Sequence, residues 1–173
     1  QSYKLGNGES LRIVYIDTPP LIDKYRNDSK GYPDAVKQDM DKQLAWLDAT
    51  LKASTETWKI VIGHHPIYAY TEKADVERLD MQKRVDPILR KYNVDMYICG
   101  HLHTFQHLKV KGSDIDYVVN TSGSLSRKPK AIEGTVFCSP ESGFSVFSAT
   151  PKAITLYMVN NKGEVIHQVK RSK

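Results

Sequence analysis

Four of the six histidines fall in two short clusters, Gly63-His64-His65-Pro66 and Gly100-His101-Leu102-His103. Neutral imidazole is the commonest protein ligand for transition metals. Each cluster follows directly on an apolar run, Trp58-Lys59-Ile60-Val61-Ile62 and Val94-Asp95-Met96-Tyr97-Ile98-Cys99. Such runs read as buried strands, and an open α/β sheet binds its ligands beyond the carboxyl ends of its strands. The glycine between strand and histidine lets the chain turn sharply as it leaves the sheet. In extended backbone, His101 and His103 would point to one side, about 6.5 Å apart at two steps of strand rise. Paired hydrolytic metal ions lie about 3.5–4 Å apart and Zn–N bonds run about 2.0–2.1 Å, so each ring could reach one ion. His107 and His167, each isolated in a strand-like segment, read as hydrogen-bonded polar residues instead. Three imidazoles can hold one zinc ion, but a hydrolytic pair also needs carboxylates. Asp17 ends an earlier strand-like run, yet it leads into Thr18-Pro19-Pro20 with no glycine motif. The residues alone offer half of a binuclear site.

The elements that would position these rings alternate in the first half of the chain. Leu11 to Asp17 reads as a strand, and Thr18 to Pro33, with three prolines and a glycine, as a long loop. From Asp34, Val36, Met40, Leu44, Leu47 and Leu51 recur at helical spacing and form one stripe. A second helix is expected over Asp75 to Tyr92, with Met81, Val85, Leu89 and Tyr92 on one face. Pro87 would kink it, and Asn93 would cap it in a left-handed conformation. This β-α-β-α-β order implies parallel pairing through right-handed crossovers. The second half changes character. Ile115–Val119, Gly143–Ser148, Ala153–Val159 and Glu164–Val169 are strand-like, and Asn160-Asn161-Lys162-Gly163 marks a hairpin. Thr121 to Ser142, rich in Ser, Gly, Pro and Lys, reads as loop. The fold class is α/β, a three-layer or four-layer sandwich or part of one.

With 173 residues, 40% hydrophobic and 26% charged, the chain can bury a core. That composition excludes wholesale disorder, collagen and a coiled coil. No apolar stretch is long enough to span a membrane. The net charge of +5 favours anionic partners. The basic residues are dispersed or terminal and no nucleic-acid module is recognisable, so nucleic acid is not an expected partner. Two cysteines, Cys99 and Cys138, cannot build a disulfide scaffold, and whether they pair stays open.

From about Leu11 to Val169 the chain resembles the C-terminal half of the purple acid phosphatases, close to the tartrate-resistant type, within the calcineurin-like metallophosphoesterase superfamily. The resemblance rests on Gln43-Leu44-Ala45-Trp46-Leu47, on Trp58 to Pro66, and on Cys99-Gly100-His101-Leu102-His103 followed by Gln106. It implies half of a four-layer sandwich, with residues 1–173 forming the C-terminal portion of one domain whose N-terminal half is absent. It implies a binuclear centre of iron with iron, zinc or manganese. His64 and His101 would ligate the divalent ion and His103 the ferric ion. His65 would face the substrate or support the ligands. The upstream half would bring the bridging aspartate, the tyrosinate, an asparagine and a substrate-binding histidine. Mammalian-type members carry a further substrate histidine in the loop after the motif at Trp58 to Pro66; this chain has Glu72-Lys73 in that region. The implied parent activity is metal-dependent hydrolysis of phosphate monoesters, in a secreted or periplasmic setting. The isolated chain is expected to be inactive and to self-associate through the surface its missing half would cover. The alternatives are a metallophosphodiesterase or nucleotidase of the same superfamily, or a non-catalytic binding module on that scaffold.

Overall fold

The computed structural model describes residues 1–72 and 75–173. Its larger sheet has seven strands: β1 (Ser2–Gly6), β2 (Glu9–Tyr15), β3 (Trp58–Ile62), β4 (Met96–Cys99), β5 (Phe105–Lys109), β6 (Asp116–Val119) and β7 (Thr135–Ser139). They lie in the order β1-β2-β3-β4-β6-β5-β7. The pairs β2–β3, β3–β4 and β4–β6 are parallel, as the alternating first half implies, and the flanking pairs are antiparallel. A second, antiparallel sheet holds β8 (Gly143–Ala149), β9 (Ala153–Asn160) and β10 (Val165–Ser172), in the order β10-β9-β8.

Side-chain alternation along the strands builds two cores. Val14, Val61, Tyr97 and Val119 face a helical layer, while Leu11, Trp58, Ile60, Met96, Phe105 and Val118 face the small sheet through Ile154, Leu156, Met158 and Val169. Helices, large sheet and small sheet thus stack as successive layers of a mixed α/β sandwich. The helical layer is α1 (Asp23–Arg26), α2 (Pro33–Val36), α3 (Met40–Lys52), α4 (Val76–Arg84) and α5 (Asp86–Lys91).

Several elements depart from the sequence expectation. The helix expected from Asp34 is broken: Asp39 takes an extended conformation and its side chain caps α3 by accepting from the Lys42 amide at 2.9 Å. Val36 is consequently exposed, and Leu47 and Leu51 carry the burial. The helix over Asp75 to Tyr92 divides at Val85, just before Pro87, into α4 and α5. Met81, Val85 and Leu89 remain fully buried across the break, and Asn93 sits at φ 49° as expected of a left-handed cap. The expected loop at Thr18 to Pro33 contains a 3-10 turn at Pro19–Leu21 and α1. Strands β1 and β7 were not expected, and β7 lies within the stretch read as loop, while β5 is the strand-like segment around His107. Cys99 is buried, Cys138 is half-buried, and the two are not bonded. Among the described residues no helix is long and apolar enough to cross a membrane.

Candidate metal centre

Strands β3 and β4 are parallel neighbours, so the segments that leave their carboxyl ends emerge side by side. The Gly63 amide donates to the Ile98 carbonyl and the Gly100 amide to the His64 carbonyl, which ties the two exits together. A Cβ at Gly63 would lie 2.6 Å from the Tyr97 hydroxyl and 2.8 Å from the Thr18 methyl, so only glycine fits between them. After β4 the chain turns tightly, with His101 at φ 69° and His103 at φ 56°. The pair is therefore not extended, contrary to the spacing argument. Two non-glycine residues in the left-handed region cost of order 1–3 kcal/mol each, a kind of strain that clusters at functional sites.

The two turns bring three imidazoles together. One ring nitrogen each of His64, His65 and His101 lies within 4.8 Å of the other two. His64 Nε2 stands 3.1 Å from His101 Nδ1. His65 is buried and both its nitrogens are engaged: Nδ1 is 2.7 Å from Thr18 Oγ1 and Nε2 is 3.2 Å from the Tyr25 hydroxyl. Burial, then the charges of His101 and His64, push the His65 pKa down to about 3. Burial likewise lowers that of His64, with His103 adding in the same direction. Both rings are thus held in the neutral form that binds metal. His103 falls outside the group of three, but its Nδ1 is buried without a hydrogen-bond partner among the described residues, and its backbone carbonyl accepts from the Arg127 amide. Such an orphaned nitrogen needs a partner.

Behind the rings lies a carboxylate that no motif announced. Glu77, in the first turn of α4, is buried, and its Oε2 is 2.9 Å from His101 Nε2. Its other oxygen accepts from Lys24 Nζ at 2.8 Å and from the Tyr25 hydroxyl at 2.5 Å. Burial alone would raise this carboxyl's pKa, but the hydrogen bonds from Lys24 and Tyr25 and the charge of His101 outweigh it and take the value to about 2. A signal for Glu77 existed in the sequence: it sits four residues before Met81 on the stripe that continues to Val85 and Leu89, a charge where an apolar residue belongs. Thr18, Lys24 and Tyr25 lie in a proline-rich stretch with no pattern to single them out.

Two glutamines of the resembling motifs prove to be clamps. Gln43 exchanges two hydrogen bonds with the backbone of Asp17, at 2.8 and 3.0 Å, and Gln106 does the same with Tyr70, at 2.8 and 3.0 Å. Asp17 itself is exposed and outside the histidine group. Arg127 and Lys128 line a small recess with Tyr70, Glu72 and Thr104. Lys73 lies outside the described residues. His107 and His167 meet elsewhere, between the two sheets, with Asp116.

The facing nitrogens of His64 and His101, the orphaned nitrogen of His103 and a carboxylate behind them form a donor set that fits a divalent transition metal. Comparison with known proteins agrees with that chemistry. A family model described as calcineurin-like phosphoesterase matches residues 3–105, which include all four rim histidines. Purple acid phosphatase 3 of Arabidopsis thaliana is 27% identical over 96% of this chain and 48% of its own length. The human tartrate-resistant acid phosphatase type 5 is 32% identical over 67% of this chain and 35% of its own. The chain spans about half the length of the plant relatives it matches. Among solved structures, GAP50, the anchor in the inner membrane complex of Plasmodium, superposes with a TM-score of 0.80 at 22% identity, over 99% of this chain and 52% of that one. A purple acid phosphatase from yellow lupin superposes with a TM-score of 0.66 at 15% identity, over 94% of this chain and 31% of that one. At those identities the superpositions speak for the fold alone.

Proposed function

The chain belongs to the calcineurin-like phosphoesterase family, and from that premise we propose that it is the C-terminal half of a binuclear, metal-dependent acid phosphatase acting on phosphate monoesters. The observation that carries the reading is the facing pair His64 Nε2 and His101 Nδ1, 3.1 Å apart at the ends of adjacent parallel strands. His64 and His101 would hold the divalent ion, whether iron, zinc or manganese, and His103 the ferric ion. His65, with both nitrogens committed to Thr18 and Tyr25, would support the ligands rather than bind. When bound, the metal pair supplies electrophilic binding of the phosphoryl oxygens and an acidified water.

The chain's own residues do the rest of the local work. The Gly63 and Gly100 turns fix the rings, Gln106 holds the loop after β3, and Arg127 and Lys128 give the rim a positive character that favours an anionic substrate. The bridging carboxylate and remaining ligands would come from an N-terminal half, residues 1–173 being the C-terminal portion of one domain. Secretion or a periplasmic location follows from the same reading.

The test is hydrolysis of p-nitrophenyl phosphate. The isolated chain should show negligible turnover with zinc, iron or manganese added, and turnover at rates ordinary for the family would overturn the half-site reading. The protein carrying both halves should prefer this monoester to bis(p-nitrophenyl) phosphate; the reverse preference would assign it to the phosphodiesterases, and no turnover of either to a non-catalytic module. The exposed Phe144 and Val146 on β8 are apolar surface that the isolated chain would cover by self-association. A monomer by light scattering at high concentration would count against that.

A further inference from the structure

We propose that Glu77 is the positioning residue of the metal centre: its Oε2 holds the Nε2–H of His101 and thereby presents Nδ1 of that ring, beside His64 Nε2, as the metal-binding nitrogen. The inference rests on the metal-site reading and adds a residue to which neither the sequence motifs nor the family resemblance gives a role.

Three observations carry it. The first is the division of labour between the two carboxylate oxygens. Oε1 is occupied by Lys24 Nζ and the Tyr25 hydroxyl, which leaves Oε2 directed at His101 Nε2, 2.9 Å away. The second is the geometry of the ring. Nε2 faces carboxylate Oε2, which only accepts, so Nε2–H is the donor of that contact, and the nitrogen left beside His64 Nε2, 3.1 Å away, is Nδ1. The third is position. Glu77 is 6% exposed on a stripe otherwise occupied by Met81, Val85 and Leu89, all of them fully buried. A lone charge there needs compensation, and it receives it from Lys24, Tyr25 and His101 together. Carboxylates that fix a ligating histidine through its other nitrogen set both tautomer and ring orientation, and their removal typically weakens metal binding about 10–100-fold.

The test uses the full chain with zinc alone. Long-range 1H–15N spectra of the metal-free protein should show His101 as the Nε2–H tautomer, and in Glu77→Ala a shift towards Nδ1–H. Calorimetric titration should show zinc affinity falling roughly 10–100-fold in Glu77→Ala, with a smaller loss in Glu77→Gln, whose amide oxygen still accepts from Nε2–H. Should the alanine variant fail to fold, Glu77→Gln with Lys24→Met carries the same comparison. An Nδ1–H tautomer in the wild-type chain, or zinc affinity unchanged in both Glu77 variants while His64→Ala loses it, overturns the role of Glu77 and leaves the metal site standing. Zinc affinity indifferent to His64→Ala and His101→Ala, or no zinc binding by the wild-type chain, overturns the site and this inference with it.

Discussion

Two places in this molecule set a pair of imidazoles at almost the same separation: His64 and His101 at 3.1 Å on the rim, and His107 and His167 at 3.0 Å between the sheets. Their surroundings differ. His107 sits on β5 with its Nε2 2.8 Å from Asp116, and Asp116 in turn receives Arg171 at 3.0 Å and Lys109 at 3.3 Å. His167 on β10 stacks on Phe137, with ring centroids 4.4 Å apart. Both rings ride on strands, each beside a register shift with a neighbouring strand, and their polar atoms close into a network that joins one sheet to the other. The rim pair rides on tight turns, with left-handed backbone at His101 and His103 and an orphaned nitrogen on His103. Proximity of two histidines therefore does not distinguish a site from a brace. The atoms around them and the backbone beneath them do.

The largest expected effect that would test this contrast is on stability. Asp116→Ala should destabilise the fold by about 3–5 kcal/mol, because it leaves buried His107 and half-buried Arg171 without their carboxylate. His64→Ala on the exposed rim should cost within about 0.5 kcal/mol. Urea unfolding of the two variants measures the difference, and equal costs would erase it. Next comes metal binding. His64→Ala or His101→Ala should each weaken zinc by roughly 100-fold, given that each removes a whole ligand where loss of a supporting group already costs about 10–100-fold. His107→Ala should leave zinc affinity where it was, as read by calorimetry.

The smallest effect is on pH dependence. Burial, then the charge of His107, lowers the His167 pKa, so the folded state binds fewer protons there than the unfolded chain. The stability this ring contributes is complete above its ordinary value of about 6.5 and is lost as pH falls through the lower folded value. Asp116, which burial would raise but hydrogen bonds from His107 and Arg171 hold below the ordinary carboxylate range, adds a loss of the same sign at more acid pH. The stability advantage of wild type over His167→Asn should therefore shrink as pH goes from about 7 to about 5. An advantage that grew with acidification would mean that His167 works as a charged partner of Asp116.

How far the sequence could be read follows the same division. Strands β3 and β4 and the histidines at their ends were legible because a buried parallel strand is a continuous apolar run and the glycine after it marks the exit. Met81, Val85 and Leu89 were legible because packing against a sheet enforces helical spacing. The hairpin of β1 and β2, although turned by Gly6-Asn7-Gly8, escaped notice because Ser2 to Gly6 is mostly exposed and offers no apolar alternation. Strand β5, Phe105–Lys109, was legible as a strand-like segment around His107, but its burial along most of its length was not, because it carries Gln106 and His107. The left-handed turn at His101 and His103 was invisible because local spacing says nothing about φ. Thr18, Lys24 and Tyr25 reach the rim only through the tertiary fold.

The two glutamine clamps have a consequence for how such a chain can diverge. Gln106 copies the hydrogen-bonding pattern of a neighbouring strand and spends it on a single residue, Tyr70. The segment from β3 to that residue, with His64 and His65 in it, is thereby held at both ends, by its pairing with β4 and by Gln106, so exchanges beyond Tyr70 leave those histidines in place. Glu72 and Lys73, where the resemblance would place a substrate histidine, stand just past Tyr70 in the sequence.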